Sequence, residues 1–477
     1  MHWSSKIAGI FVLGICLVLA GCPKKSDTEQ PCCKRATGKT EQEHVDSPEV
    51  VAALVLLQKN QGTYERNAAG TVVAVNLKLS TMLDPATQED KDAGRPVADT
   101  EYNRSVGELF DAINTLVDLE KVAFDGPGID DYGVLRLTNL KKVKTAHFKN
   151  ANITTASLKM IAETMQDLTE LAVNRCMKLD GSSISAIVNG MPKLKILNLQ
   201  SNAFKTFDLR PLSTLAELED LDLRQCTELQ GEVLKYVANI PTLKVLRLRG
   251  AIYRDRSIEN LAGHPALKVF FLQDASVSDD FLDSVVAIPT LVDLSMFRLL
   301  DISNDGMQKL ENAKLQRLLI RENDLIDDEG IVVIKTMPDL SRLILYELRA
   351  VSDEGLIAAI SGNKKLVNLA LYDMDSITDE SRKALATTTN LRSLELRKTG
   401  QTDETLKLVA KLPRLESIII GDNSKFTDEG LASLGESKSL KTIEIKNITG
   451  ITNKGIRDFK TKYPTIAIKA TNEEQTE

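Results

Sequence analysis

The chain has 477 residues, 43% hydrophobic and 27% charged, which excludes an intrinsically disordered protein. Its net charge of −7 argues against a general nucleic-acid binder, which needs a basic face to displace counterions from phosphates. Only 4% of residues are aromatic and four are His, so histidine-based metal or acid–base sites have little material, and length alone predicts about three domains.

At the N-terminus Lys6 precedes an uncharged apolar run from Ile7 to Ala20. That run is shorter than the ~20 residues of a membrane-spanning helix and suits the apolar part of a secretory signal, 1–21. It ends in Leu19-Ala20-Gly21-Cys22, which resembles the lipobox of bacterial lipoproteins. The resemblance implies cleavage after Gly21 and a lipid on the Cys22 thiol, with palmitate-type acyl chains. Stable anchoring takes more than one chain. Pro23 stands where an Asp retains a lipoprotein in the inner membrane, so an outer-membrane destination is favoured. The alternative is an ordinary signal peptide and a soluble secreted product.

Residues 22–46 lack apolar periodicity and mix charges, which reads as a flexible tether. Gly38-Lys39-Thr40 imitates the end of a phosphate-binding loop, but Cys33 occupies the place of its first Gly and no strand precedes it. The adjacent Cys32 and Cys33 pair with each other only under strain. What remains for them is no role, bridging between molecules in an oxidising compartment, or metal capture.

Ser47-Pro48-Glu49 opens an apolar helix, with Ser47 as N-cap and Pro48 in the first helical position. Residues 63–66 and 71–78 read as a hairpin joined through Asn67-Ala68-Ala69-Gly70. The segment 47–118 is taken as an N-terminal cap, with Val72, Val75 and Leu77 in a first repeat-like strand. Within it, 82–103 is a polar insertion loop, either functional or merely tolerated. Helix is expected to resume at a capping box, Ser105-Val106-Gly107-Glu108.

From Leu119 the pattern L-x-x-L-x-L recurs with starts at Val143, Leu168, Leu194 and so on to Leu440, in fourteen units spaced 24–26 residues apart. Alternating apolar residues make L-x-L a short strand. Each unit then turns to helix, as in Val351-Ser352-Asp353-Glu354-Gly355 and Phe426-Thr427-Asp428-Glu429-Gly430. Ser or Thr caps the helix and acids fill its first turn, where the helix dipole favours them. The same acids carry too few ligands for a Ca²⁺ site.

This pattern resembles the leucine-rich repeat family, in its ribonuclease-inhibitor-like or cysteine-containing subclass. The resemblance covers most of the chain and implies an α/β solenoid, a horseshoe with parallel strands on the concave face and helices on the convex face. The array is placed at 119–470, with a disordered tail at 471–477. Cys176 and Cys226 fall at the ninth pattern position, where Asn202, Asn323 and Asn423 stand in other units. Two repeats separate the cysteines by ~10 Å, too far for a disulfide, so both read as free and buried.

In each strand the third, fifth and seventh positions face the concave side. There Phe271, Phe297, Leu319, Ile344, Tyr346 and Tyr372 gather in five consecutive repeats, with Arg321 and Arg397 beside them. In a chain poor in aromatics, such a cluster on exposed positions marks a partner-binding patch. The competing reading is a ladder of side chains that pack on one another and bind nothing. A second group, Arg224, Arg247 and Arg249, lies near Glu219, Asp220 and Asp222, so self-neutralisation is expected.

No nucleophile elbow, zinc-protease motif, CxxC pair or dinucleotide fingerprint is present in the sequence. The expectation is a non-enzymatic, monomeric solenoid without metal or cofactor, held at a bacterial membrane through Cys22. It would bind a protein or peptide on its concave face, and no nucleic acid. The alternative is a structural or cell-wall-associated envelope component with no specific patch.

Overall fold

The computed structural model of the protein describes residues 45–471. The apolar run, Cys22, Cys32, Cys33, the tether as far as residue 44, and residues 472–477 lie outside the described residues.

The described chain opens with α1 (Pro48–Lys59). Ser47 caps it, accepting from the Val50 N–H, and Pro48 sits in the first turn where its missing N–H costs nothing. The hairpin follows, β1 (Thr63–Arg66) antiparallel to β2 (Val72–Lys78). Asn67 closes the turn by accepting from the N–H groups of Ala69 and Thr71. Asp46, expected in the tether, instead pairs with Arg66 at 2.9 Å and joins this hairpin.

The segment 82–103 is more ordered than a loop. Thr87 and Asp90 form the capping box of α2 (Gln88–Asp92). Asp90 is buried and holds Arg95 at 2.8 Å. The next helix, α3 (Glu101–Asn114), starts ahead of the expected Ser105, because Thr100 accepts from the Asn103 N–H and caps it. The earlier start places buried Asn103 where it bonds Asp84 and Ala98 main chain. Ser105 lies inside the helix and donates back to the Tyr102 carbonyl.

The repeats then add one strand each. These are β3 (Lys121–Asp125), β4 (Thr145–Lys149), β5 (Glu170–Asn174), β6 (Ile196–Asn198), β7 (Asp220–Asp222), β8 (Val245–Arg249), β9 (Val269–Gln273) and β10 (Asp293–Phe297). They continue with β11 (Arg317–Arg321), β12 (Arg342–Tyr346), β13 (Asn368–Met374), β14 (Ser393–Thr399), β15 (Ser417–Gly421), β16 (Thr442–Lys446) and β17 (Ala467–Thr471). All seventeen strands form one sheet in chain order, parallel from β2 to β17. Parallel neighbours need a crossover, and each helical return supplies it. Thr471, expected in the tail, is the last strand residue, and its carbonyl accepts from Asn447 N–H.

Strand period decides the core. In β11 and β12 the fourth and sixth pattern positions, Leu318, Ile320, Leu343 and Leu345, are fully buried against the helices. The third, fifth and seventh positions face the other way. Several returns are 3₁₀ turns where regular helix was expected, including Thr206–Thr214, in which Pro211 lacks the N–H an α-helix would use.

The helix-start acids do more than complement a dipole. Asp328 accepts from both the N–H and the hydroxyl of Ser352 in the next repeat, at 2.7 and 2.6 Å. Asp353 does the same for Thr378, Asp379 for Thr402, Asp403 for Thr427 and Asp428 for Thr452. Each Ser or Thr then caps its own helix. One aspartate thus fastens each of these repeats to its successor, and Asn304 takes that place toward Asp327. The glycine of the motif makes room for the aspartate, since a Cβ on Gly355 would collide with Asp328 Oδ1. Where Thr405 replaces that glycine, its hydroxyl donates to Asp379 at 2.6 Å.

The ninth position is polar inside the core. Asn202 donates to the Val173 and Leu199 carbonyls and accepts from Cys176 N–H. Cys176 and Cys226 are both free and buried. Burial pushes their thiols up to about 12 and about 11.

Candidate binding site on the sheet face

The parallel register puts equal pattern positions side by side. At the seventh position this aligns Phe297, Arg321, Tyr346, Tyr372 and Arg397 across β10 to β14. Their flat side chains stack into one column. The Arg321 guanidinium lies 4.2 Å from the Phe297 ring centroid and 3.8 Å from that of Tyr346. Tyr346 and Tyr372 have centroids 4.2 Å apart, and Arg397 lies 4.5 Å over Tyr372. Cation–π contacts of this kind contribute ~0.5–1 kcal/mol each at partly exposed sites.

The two arginines are therefore inside the column and do not ring it. Arg321 Nε donates to Glu322 at 2.8 Å, and Arg397 donates to Asp422 at 2.6 Å. Gly421 leaves the space for that second reach, since a Cβ there would lie 3.1 Å from Arg397 Nε. Phe297 departs from the expectation of exposure. It is 7% exposed, because Arg298 and Arg321 both cover its ring. Tyr346 and Tyr372 are half-buried, and burial raises the Tyr346 phenol above its ordinary value.

At the fifth position Leu319, Ile344 and Ala370 align beside the column, all half-exposed. Phe271 does not join them. Buried Ser295 separates it from Leu319, and its ring lies 5.6 Å under Arg224. The eight residues expected in the patch thus divide into a stacked column of five, a stripe holding Leu319 and Ile344, and a detached Phe271.

Two flanking features were not foreseen. The eighth pattern position adopts positive φ in most repeats without glycine, including Glu322, Glu347 and Asp373 at 54°, 55° and 53°. This lines one border of the stripe with carboxylates. Burial first, then Glu322, raises the Glu347 carboxyl above its usual range. The residue-type signal for that conformation is partial, because Gly126, Gly250, Asn150, Asp274, Asp373, Asp422 and Asn447 carry it at this position while Glu322 and Glu347 do not. Beyond the same border, Leu300 and Leu325 stand 56% and 53% exposed, apolar where loops are polar, and that signal was readable in the sequence.

The arginine group near the N-terminal half is neutralised, by the expected Asp220 and Asp222 for two of its members and by a different partner for Arg249. Arg224 pairs with Asp222 and Arg247 with Asp220, while Arg249 pairs with Asp274 at 2.6 Å and Glu219 with Lys244. Burial raises the Asp220 carboxyl, against the pull of Arg247. Around these strands lies a recess of about 240 Å³ bordered by His147, Glu170, Asn198, Asp220 and Arg247. Among the described residues no group of three or more His, Cys, Asp or Glu is placed to hold a metal ion, and no helix is long and apolar enough to cross a membrane.

No family model matches the chain, and no curated protein matches it. Among solved structures it is similar to a chain of the yeast Rad7 and Elc1 complex, with a TM-score of 0.51 and 18% identity over 80% of this chain and 90% of that one. It is also similar to the complex of TLR13 with ssRNA13, with a TM-score of 0.50 and 18% identity over 77% of this chain and 55% of that one. At such identity the likeness concerns the fold. Together with the seventeen-strand sheet and its 24–26-residue period, it makes this chain an α/β leucine-rich repeat solenoid.

Proposed function

We propose that the protein is a lipid-anchored bacterial envelope protein that holds a protein or peptide partner on the sheet face over β10 to β14. The observation that carries the binding role is the half-exposed stripe of Leu319, Ile344 and Ala370 beside the Tyr346–Tyr372 stack. Exposed apolar surface bordered by charge is a common mark of an interface, and Tyr and Arg dominate binding energy at such places. The relative in the Rad7 and Elc1 structure is itself held in a protein complex. The TLR13 relative is bound to ssRNA13, but the net charge of −7 here disfavours a nucleic-acid partner. The reading is of a binding protein and not of an enzyme. Anchoring rests on the Leu19-Ala20-Gly21-Cys22 resemblance.

Crosslinking on intact cells, followed by partner identification, tests the binding role. A partner captured by the native chain and lost from a folded Tyr346→Ala/Tyr372→Ala variant supports it. Unchanged capture sinks the patch. Lipid-precursor labelling tests the anchor, and a Cys22→Ser form that still labels and pellets with membranes removes it. The second reading, a structural envelope component with no specific patch, is favoured by one observation. Arg321 and Arg397 already have carboxylate partners of their own.

A further inference from the structure

We infer that the partner seats an amphipathic α-helix along the repeat axis over β10 to β14, its basic edge on Glu322, Glu347 and Asp373 and its acidic edge on Arg317 and Arg342. The inference rests on the binding role proposed above and specifies the partner.

Spacing selects the helix. Neighbouring strands lie ~4.8 Å apart, so Leu319, Ile344 and Ala370 present one apolar contact per ~4.8 Å along the axis. A helix offers one same-face residue per ~5.4 Å turn. An extended segment offers one per ~6.6 Å and falls out of step within two repeats. Width agrees. A five-residue strand spans about 16 Å at ~3.3 Å per residue, and a helix with side chains is ~10–12 Å across. The stripe itself covers β11 to β13, two strand steps or about 10 Å, with buried Ser295 on β10 and Glu395 on β14 in its line. A helix laid over all five strands, about 19 Å, has roughly 13 residues.

Charge sets the edges. Arg317 and Arg342 stand at the third position, on the border where the strands begin. Arg342 is exposed and makes no ion pair among the described residues, while Arg317 pairs with Asp293 at 2.7 Å. Glu322 and Glu347 stand just past the ends of β11 and β12, and Asp373 near the end of β13, on the opposite border. Their own cations are Arg298 and Arg321 for Glu322, Arg349 for Glu347, and Lys398 for Asp373. Glu347 remains crowded by burial and by both acidic neighbours, so a cation from a partner relieves it. At β11 and β12 the two borders are of opposite sign with an apolar strip between them, which is the pattern of one helix face and its two edges. Asp293 on the first border and Arg298 and Lys398 on the second carry the reverse charge at β10 and β14.

The test uses the full chain in non-ionic detergent and four fluorescent 14-residue peptides that share one apolar helical stripe. One carries Lys on one edge and Glu on the other. The second has both edges Lys, the third both edges Glu, and the fourth is the first with a central Pro. Anisotropy at low salt is expected to show the first binding about tenfold tighter than the other three. In Glu347→Lys, with an unchanged thermal transition, the peptide with two Glu edges should become the tightest. Equal binding of the Pro peptide overturns the helix, and indifference to edge charge or to Glu347→Lys overturns the polarity. If no peptide binds, the inference falls. Tyr346-dependent crosslinking in cells would then still stand, so failure here is distinct from failure of the binding role.

Discussion

Tyr346 and Tyr372 occupy the same position of neighbouring strands, with ring centroids 4.2 Å apart and planes tilted by 45°. The pair is clamped from both ends, by Arg321 on the Tyr346 side and Arg397 on the Tyr372 side. Side chains already fixed by neighbours lose little further freedom on binding, so the column offers a partner a pre-set surface. The column is therefore both a ladder within the fold and a wall of the candidate site. The packing of the aromatic cluster is seen in these contacts, and its binding of a partner is the proposal.

That double role predicts unequal costs. Phe297→Ala removes a ring that is 7% exposed and should destabilise the chain by about 3 kcal/mol. Tyr372→Ala removes a half-exposed ring with one cation–π and one ring contact, and should cost about 1–2 kcal/mol. Urea unfolding followed by circular dichroism compares them. Equal costs would contradict the placement of Phe297 beneath the arginines.

The repeat-to-repeat aspartates predict a coupled pair. Gly355→Ala drives a methyl into Asp328 and should cost about 2 kcal/mol. Asp328→Ala removes two hydrogen bonds to Ser352 and should cost a similar amount. Combined, they should cost less than their sum, because the clash partner is gone. Strict additivity in a double-mutant cycle would refute the contact.

Acid should loosen the array. Burial by itself raises the Asp379 carboxyl, but bonds from Thr402 and Thr405 outweigh it and hold the group below the usual aspartate range. A carboxylate depressed in the folded state adds stability that is full above its unfolded pKa of ~3.9 and is lost as pH falls through the folded value. The urea midpoint should hold between pH 7 and about 5 and fall below about 4. Asp379→Asn should be less stable at neutral pH and lose less on acidification. An identical acid slope in both proteins would exclude Asp379 as a contributor.

Thiol chemistry offers an independent check of the core. With pKa values pushed to about 12 and about 11 by burial, Cys176 and Cys226 should resist iodoacetamide at pH 8 in the folded chain. Both should label readily in urea. Peptide-level mass spectrometry separates them from the chain's other cysteines. Rapid labelling of Cys226 without denaturant would mean that its repeat opens in solution.

Much of this molecule is local, and local features were legible in the sequence. A period of 24–26 residues defined one repeat, and alternation within L-x-L told which side chains of Leu318, Ile320, Leu343 and Leu345 turn inward. Ser47 with Pro48, and Ser352 or Thr427 before acids, named helix starts because capping depends on only a few neighbouring residues. Thr100 was missed because Ser105 offered a capping box of its own, and only the distant Asp84 made the earlier start pay.

Contacts between repeats belong to the tertiary structure. The columns could be counted from sequence, but not that Arg321 slides between Phe297 and Tyr346, nor that Arg397 reaches over Gly421 to Asp422. Those geometries depend on rotamers chosen among several neighbours at once. The same holds for Asp328 and Ser352, which lie 24 residues apart and meet only when two repeats stack. Sequence by itself determined the repeat, the sheet and its two faces, because a 24–26-residue period acts through neighbouring residues. Tertiary structure alone decided which side chains of the sheet face remain open to a partner, because exposure is a property of the packed whole.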